Sequence, residues 1–502
     1  MKTYASKLQL YCRCVRVIVL FFTLIPHMSW QADGAVQKAW VSRYNGSRTA
    51  GTNEPVAALL DRTNNLIIAG SATSTNGDFD YAVWKYQSDG SLLWAARHGS
   101  ASGSNDHVKA MCIDETGNVY VTGTSGTVKW SSAGGFEWLL PYAGTAIVTD
   151  NSHVYVTGFS TSSFATVKIS ASEGTNIWVK TFTYLGGPDQ SQVMALDRNT
   201  NLFVAGSMMC YSNRNDRYWN RVILGYDGTG NLFWQTQVFP CYYKDVNLKA
   251  MASDPLGAIY VTGNLNPPFT GGGTYATRKY NANGNLLWDY FLSSADFDAV
   301  RGMALDGAGN VYLTGAYGFY TTIKLRLDGA EAWLRQYGTQ AYGYHYANAI
   351  RLDGQTNVII TGAAPRPESG NDFATIKYTS GGAQLWVERY NGPFNGDDQA
   401  TALAVDASGN VYVAGWSQAS SNLLELVVIK YVELENIQWL SKGAVLLQFP
   451  AAPGQSVRFQ ASTNLTAWQD IATVIASPDC IARYTDTTVS QYPHRFYRLA
   501  VP

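Results

Sequence analysis

Eight aspartates punctuate this chain at similar intervals: Asp61, Asp114, Asp150, Asp197, Asp254, Asp306, Asp353 and Asp406. Each opens a closely similar stretch, of which "DETGNVYVTG" (114–123) and "DASGNVYVAG" (406–415) are typical. Carboxylates in such number could gather calcium, but calcium takes about six to eight oxygens around one point. One aspartate per copy points instead to eight separate places. An Asp followed within a few residues by Gly or Asn is the mark of a tight turn whose side chain accepts backbone N–H bonds, so a repeated turn is expected rather than a metal centre. Lysines recur as regularly, at Lys85, Lys129, Lys168, Lys279, Lys324, Lys377 and Lys430, with Gly225 in the fourth copy. Cations spread in this way predict alkyl stems laid between neighbouring repeats and ammonium groups paired or snorkelling outward. Asp78, Asp80, Asp106, Asp298, Asp397 and Asp398 fall between repeat strands and read as solvated loop residues. The six histidines are scattered without a zinc spacing, and no nucleophile elbow, phosphate loop or dinucleotide glycine fingerprint stands in a suitable context. No catalytic residue, metal or cofactor is expected.

The residues best suited to recognition lie where the repeat is interrupted. Expanded segments at 208–220, 240–246 and 337–348 carry Tyr211, Arg214, Tyr218, Trp219, Tyr242, Tyr243, Tyr342, Tyr344, His345 and Tyr346. Exposed Tyr, Trp and Arg bring large contact area at small entropic cost, which makes them the usual anchors of a binding surface. They predict a ligand face built from loops, with carbohydrate or protein as the partner. Cys210 and Cys241 sit in two of these segments and are expected to form a disulfide pinning the insertion.

The elements that must position these residues are strands. Each copy belongs to a cycle of 36 to 57 residues, which reads as four short runs, A to D. A is a small-residue run such as "ATALAV" (400–405), and B is the end of the decamer. C is a run such as "ATIKY" (374–378), and D a tryptophan run such as "QLWVERY" (384–390). Alternation bounded by Gly, Asn and Asp is how strands are written. Abundant Gly (47), Tyr (32) and Trp (15) in 502 residues suit pleated sheets with tight turns. The B–C and D–A connections emerge on one face, so the expanded segments share it. The tryptophans Trp40, Trp94, Trp138, Trp178, Trp234, Trp288, Trp333 and Trp386 predict packing between neighbouring sheets. The first repeat strand, "AWVSRY" (39–44), is of D type and the last, "VVIKY" (427–431), of C type. If the first completes the last sheet, eight sheets close into a ring and hide an edge.

Net charge of −1 with 15% charged residues offers no field for nucleic acid. Lys2, Lys7, Arg13 and Arg16 precede the apolar run at 17–26, the layout of a secretory signal peptide. That run is about half the ~20 residues a spanning helix needs. Export to the medium or the cell surface, no membrane span after processing and a monomer are expected.

The run of "D-x-x-G-N-V-Y-V-T-G", "A-T-I-K-Y" and "G-x-L-W-x-x-x-Y" motifs resembles the SBBP-type β-propeller repeat of bacterial secreted and surface proteins, over about residues 39–432. That family's propellers are usually seven-bladed, whereas eight units are present here. The tryptophan pattern is also similar to that of the eight-bladed quinoprotein dehydrogenases. Residues 433–502, through "ASTNLTAW" and "RFYRL", resemble a fibronectin-III or immunoglobulin-like terminal module. The expected architecture is all-β: a signal peptide (1–35), an eight-bladed propeller closed by its N-terminal strand (36–432) and a small β-sandwich (433–502). The expected function is a non-enzymatic binding or surface scaffold. The alternative is a propeller enzyme, quinoprotein-like or glycan-acting, with its site at the mouth of the axial channel.

Overall fold

A computed structural model describes residues 35–500 apart from 47–49, 101–102, 161–162, 184–189, 213–216, 244, 267–273, 294–298, 317–318, 339–342, 344, 368–369, 435–436, 441–443, 452–453, 464–466, 478–480 and 493–494. It divides into two compact units, Trp40–Val432 and a second made of Met1–Ala39 with Glu433–Pro502. Among the described residues both are built from strands, and no helix is long and apolar enough to cross a membrane.

In the larger unit the repeats become antiparallel four-stranded sheets in the order A-B-C-D. The first comprises Gly51–Leu60, Leu66–Thr73, Phe79–Tyr86 and Leu92–His98. The A strands of the next six are Val108–Ile113, Ala146–Thr149, Gln190–Leu196, Asp245–Ser253, Val300–Leu305 and Tyr346–Leu352. The eighth repeat supplies Asp398–Val405, Val411–Ser420 and Leu423–Leu434, and the N-terminal strand Ala35–Tyr44 pairs with the last of these. Consecutive A strands pack on one another from the first repeat to the eighth, and that of the eighth packs on that of the first. This is β-propeller architecture, as the repeats predict.

The decamer's aspartate does what its turn requires. Asp61 Oδ1 accepts the N–H of Thr63 and of Asn65, each at 2.9 Å, and Asp114 and Asp406 repeat the pattern. Its other oxygen is shared in a way that depends on strand B. At Tyr120, Tyr312 and Tyr412 of strand B the phenol donates to the aspartate and the strand-C lysine lies over the ring, while at Tyr260 the phenol and, at 3.7 Å, Lys279 share Asp254. Where B carries isoleucine, the ammonium takes the carboxylate directly: Lys85–Asp61 at 2.9 Å beside Ile67, and Lys377–Asp353 at 2.7 Å beside Ile359. The fourth repeat has Phe203, which offers no hydroxyl, and Gly225 in place of the lysine. Of the two fates expected for these ammonium groups, pairing is found and outward snorkelling is not, since Lys377 is 1% and Lys430 0% exposed. Their heads reach across to the next sheet. Lys85 Nζ and Trp94 Nε1 both donate to the Ser132 carbonyl of the following C–D turn, and Lys324 with Trp333 repeat this at Ser380. Tryptophan and lysine thus staple the first sheet to the second and the sixth to the seventh.

The glycine that ends the decamer answers to another constraint. The A strand bulges beside it: Ala347 pairs with Gly362 and Ala349 with Thr361, leaving Asn348 unpaired between them. A β-bulge brings the two backbones together and favours a partner with no side chain. A Cβ on Gly362 would press into the Tyr346 carbonyl oxygen and lie 2.9 Å from Ala347 Cα. Gly362→Ala is therefore expected to cost about 1–3 kcal/mol through overpacking. Gly354→Ala, with nothing within 4 Å of the new carbon, serves as the control; urea unfolding of both variants checks it, and equal midpoints would refute the constraint.

The smaller unit has two three-stranded sheets. One is Ile437–Leu440, Ala444–Pro450 and Ile481–Asp486; the other is Gln469–Ile475, Ser456–Ser462 and Phe496–Ala500. Val445, Leu447, Phe449, Val457 and Phe459 form the shared core.

Candidate functional site

The fourth-repeat segments expected as expanded loops, 208–220 and 240–246, are largely strand among the described residues. In the fourth repeat, strands B and C run Leu202–Ser212 and Arg217–Tyr226 and strand D runs Leu232–Tyr243, whereas the second repeat's B, C and D strands have five residues each. The physical reason is composition: alternating Tyr, Trp, Met and Val keep strand propensity, and the ladder continues through Tyr211↔Tyr218 and Trp219↔Tyr243. The backbone of Tyr211, Tyr218, Trp219, Tyr242 and Tyr243 is thereby fixed on one raised sheet, while their side chains lie outside the described residues. Arg214, Tyr342 and Tyr344 lie outside them altogether. Cys210 and Cys241 stand on strands B and D, with strand C between them. Two interstrand spacings of about 4.8 Å exceed the ~5.5–6 Å Cα separation typical of a disulfide, so a bridge would require both strand ends to curl over the middle strand. The seventh repeat has a similarly long hairpin, Val358–Arg366 with Gly370–Tyr378.

His345 is not an exposed anchor. It is 3% exposed, with its ring edge-on to Tyr337 at 6.4 Å and against Gly338. It stands two residues before the strand-A residue that faces the decamer glycine, as do Asp106 and Asp398, and that place is interior. The same fact corrects the reading of Asp106 and Asp398 as solvated loop acids, since both are 0% exposed. Asp106 accepts the Ser100 N–H at 2.6 Å, and Asp398 the Gly392 N–H at 2.6 Å. Burial raises the Asp398 pKa above the ordinary carboxylate value. Asp298, the corresponding acid of the sixth repeat, lies outside the described residues. Tyr346 is half-buried, with the Arg301 guanidinium 4.9 Å over its ring.

Residue reasoning from the sequence missed the bulge itself. In seven repeats one strand-A residue is left unpaired opposite the decamer glycine: Val56, Lys109, Gln192, Lys249, Arg301, Asn348 and Thr401. Thr145 holds the same place in the third repeat, where a Cβ on Gly158 would meet Ala143 and Gly144. The residue before each is buried, while Val56, Lys109, Thr145, Lys249 and Arg301 are exposed. A bulge turns a side chain out of the ladder, and here it does so repeatedly on the strands that pack successively on one another. The bulge residues also bond forward to the next repeat. Thr145 Oγ1 donates to the Ser191 carbonyl at 2.9 Å, and Gln192 Oε1 accepts the Leu248 N–H at 2.8 Å. Arg301 Nη1 donates to Asn348 Oδ1 at 2.9 Å, and Asn348 Nδ2 to the Ala400 carbonyl at 2.8 Å. Thr401 Oγ1 donates to the Pro55 carbonyl at 2.6 Å, which links the eighth repeat to the first. The signal in the sequence was a polar residue between small or apolar ones at the head of strand A, as in "VKA", "VRG", "ANA" and "ATA". Among the described residues no cluster of three or more His, Cys, Asp or Glu could hold a metal ion.

Residues 385–422 match the family model described as the SBBP β-propeller repeat. Among solved structures, the Dos1 propeller is similar with a TM-score of 0.54 at 9% identity, covering 80% of this chain and 95% of its own. A virginiamycin B lyase from Staphylococcus aureus, with quinupristin, gives a TM-score of 0.42 at 9% identity, covering 79% and 99%. The polysaccharide lyase Uly1 gives 0.41 at 9%, covering 76% and 90%. No curated protein matches. At such identities the likeness speaks of fold alone, and the fold and the repeat motif agree: the chain is a β-propeller repeat protein.

Proposed function

We propose that this is an exported, non-enzymatic binding scaffold: an eight-bladed propeller closed by its N-terminal strand, followed by a fibronectin-III or immunoglobulin-like module. It recognises carbohydrate or protein on the face where strands A begin and B–C hairpins end. The observation that carries the binding role is the raised sheet of the fourth repeat, which sets Tyr211, Tyr218, Trp219, Tyr242 and Tyr243 on paired strands rather than on loops. Anchors held on strands keep their positions when free, so little order is lost on binding. The repeat's own charged residues are engaged in turns and staples, as Lys85, Lys377 and Asp353 illustrate, which supports a scaffold in preference to chemistry along the repeats. Closure is supported by the seam, where Trp40 Nε1 and Lys430 Nζ both donate to the Ser88 carbonyl, as Trp94 and Lys85 do to Ser132.

The test is a glycan array and an envelope-extract pull-down with the mature protein beside a Tyr218→Ala/Trp219→Ala variant. The expected result is at least a tenfold loss of binding in the variant with an unchanged circular dichroism spectrum. Equal binding by the two proteins would remove this face.

A further inference from the structure

The proposed closed ring gives the bulge residues a common position, and the inference rests on that reading. In a closed propeller the A strands surround the axis, and their unpaired, outward-turned residues are the ones that line it. The bulges lie at the heads of the A strands, so the ring opens on the face that carries the raised sheet. Three of the eight positions are cations: Lys109 in the second repeat, Lys249 in the fifth and Arg301 in the sixth. All three are exposed. Gln192, Asn348 and Thr401 add amide and hydroxyl groups, and no carboxylate occupies any bulge position among the described residues. The second and sixth positions of an eight-membered ring are diametrically opposite, so positive charge stands on both sides of the axis. Clefts lined by one sign of charge concentrate the opposite sign. Arg301 is also held in place, by Asn348 Oδ1 at 2.9 Å and by the Tyr346 ring beneath its guanidinium, which presents a fixed donor to an anion.

We infer that the mouth of the axial channel binds an anionic saccharide, one bearing uronate carboxylates or sulfate esters, with Lys109, Lys249 and Arg301 meeting the charges and Gln192, Asn348 and Thr401 meeting sugar hydroxyls. Neutral hydrogen-bonding groups set between the cations favour a ligand with both charges and hydroxyls over an acidic peptide.

The experiment is isothermal titration of the mature protein with polygalacturonate and chondroitin sulfate oligosaccharides, with neutral dextran oligosaccharides and poly-glutamate of matched charge as further probes. The acidic saccharides are expected to bind, with affinity falling steeply as salt is raised. Lys109→Gln/Lys249→Gln, which changes only exposed side chains, is expected to weaken binding at least tenfold, and adding Arg301→Gln to abolish it, with melting temperature unchanged for the first pair. Undiminished binding in the lysine pair would overturn the inference, as would binding of poly-glutamate as strong as that of the saccharides. If the acidic saccharides fail to bind while the tyrosine variant loses an array ligand, the axial site falls and the scaffold reading stands. If the lysine pair loses the saccharide and the tyrosine variant does not, the scaffold's proposed aromatic face falls and the axial site stands.

Discussion

Removing residues 36–46 is expected to leave a protein that aggregates or fails to fold. The deletion takes away most of the strand Ala35–Tyr44, which pairs with Leu423–Leu434, a strand joined besides only through Leu423 and Leu424 to Gly51 and Thr52 of the first repeat on that side. It also takes Trp40, whose indole bonds the Ser88 carbonyl at 3.0 Å, faces the Tyr412 ring at 6.3 Å and covers Gly90 of the first repeat's C–D turn. Gly90, at a φ of 91°, has room for no Cβ against that indole. With it go Tyr44, edge-on to Trp84 at 5.9 Å, and the ion pair of Arg43 with the 7%-exposed Glu425. What is left is an open edge over a strand whose Leu426, Val428 and Tyr431 are buried in the intact chain. Exposed apolar edges of this kind recruit other chains. The Trp40→Ala change alone is expected to cost about 3 kcal/mol, the low end of the range for losing a large aromatic from a core, because the indole is half-buried against it. Size-exclusion chromatography with light scattering, on the parent chain and the deletion side by side, reads the result. A monodisperse monomeric deletion that melts at the parent temperature would show that the strand closes nothing.

How far such contacts could be read in advance varies with their range. Asp61 and its seven counterparts were legible as turn residues because the turn itself is local: Asp61 takes its turn bonds from Thr63 and Asn65, and only Lys85 reaches it from further along the chain. The strand-D tryptophans were legible as packing residues because a large apolar group recurring at one place has few other uses. The lysines were harder. Their heads turn inward to a carbonyl some 47 residues ahead in the case of Lys85 and Ser132, and how closely they approach the turn aspartate varies with the residue on strand B: 2.9 and 2.7 Å beside isoleucine, 3.7 Å beside Tyr260. The information was present, since Ile67 and Ile359 accompany the ion pairs while Phe203 accompanies Gly225, but it appears only when three separated positions of each repeat are compared. His345 was misread because it was taken as part of an aromatic loop rather than aligned with Asp106 and Asp398. The bulge was missed for a related reason: one inserted residue shifts the alternation of strand A by one place, so its exposed residue looks like an ordinary polar member of a short strand.

Lys377→Met is expected to be the most damaging single change among the lysines, at about 3–5 kcal/mol, the cost of stranding one member of a buried ion pair. Its partner Asp353 has a side chain 3% exposed and accepts the ammonium at 2.7 Å, with Asn357 as the remaining side-chain donor. Lys430→Met should cost less: that ammonium bonds a carbonyl and lies over Tyr412, while Asp406 keeps the bonds from Tyr412 and Asn410. Asp353→Asn in the Lys377→Met background should recover most of the loss, since the amide carries no charge to bury. The pair also sets a pH dependence. Burial alone would raise the pKa of Asp353, but bonds from Lys377 and Asn357 outweigh it and hold the group below the ordinary 3.8. At Asp61 burial is likewise overcome, by Thr63, Lys85 and Asn65, and the pKa falls to about 2. A carboxylate whose folded pKa is depressed contributes stability that is complete above its unfolded value and lost as pH falls through the folded one. The parent protein should therefore weaken as pH falls from 3.8 toward about 2. In Lys377→Met the stranded Asp353 titrates in the opposite sense, and acidification to pH near 4 should restore part of the stability by neutralising it. Urea unfolding at neutral and at acid pH distinguishes the outcomes. A Lys377→Met loss that is equal at both, or matched by Lys430→Met, would mean that the ion pair contributes no more than the lysine's packing does.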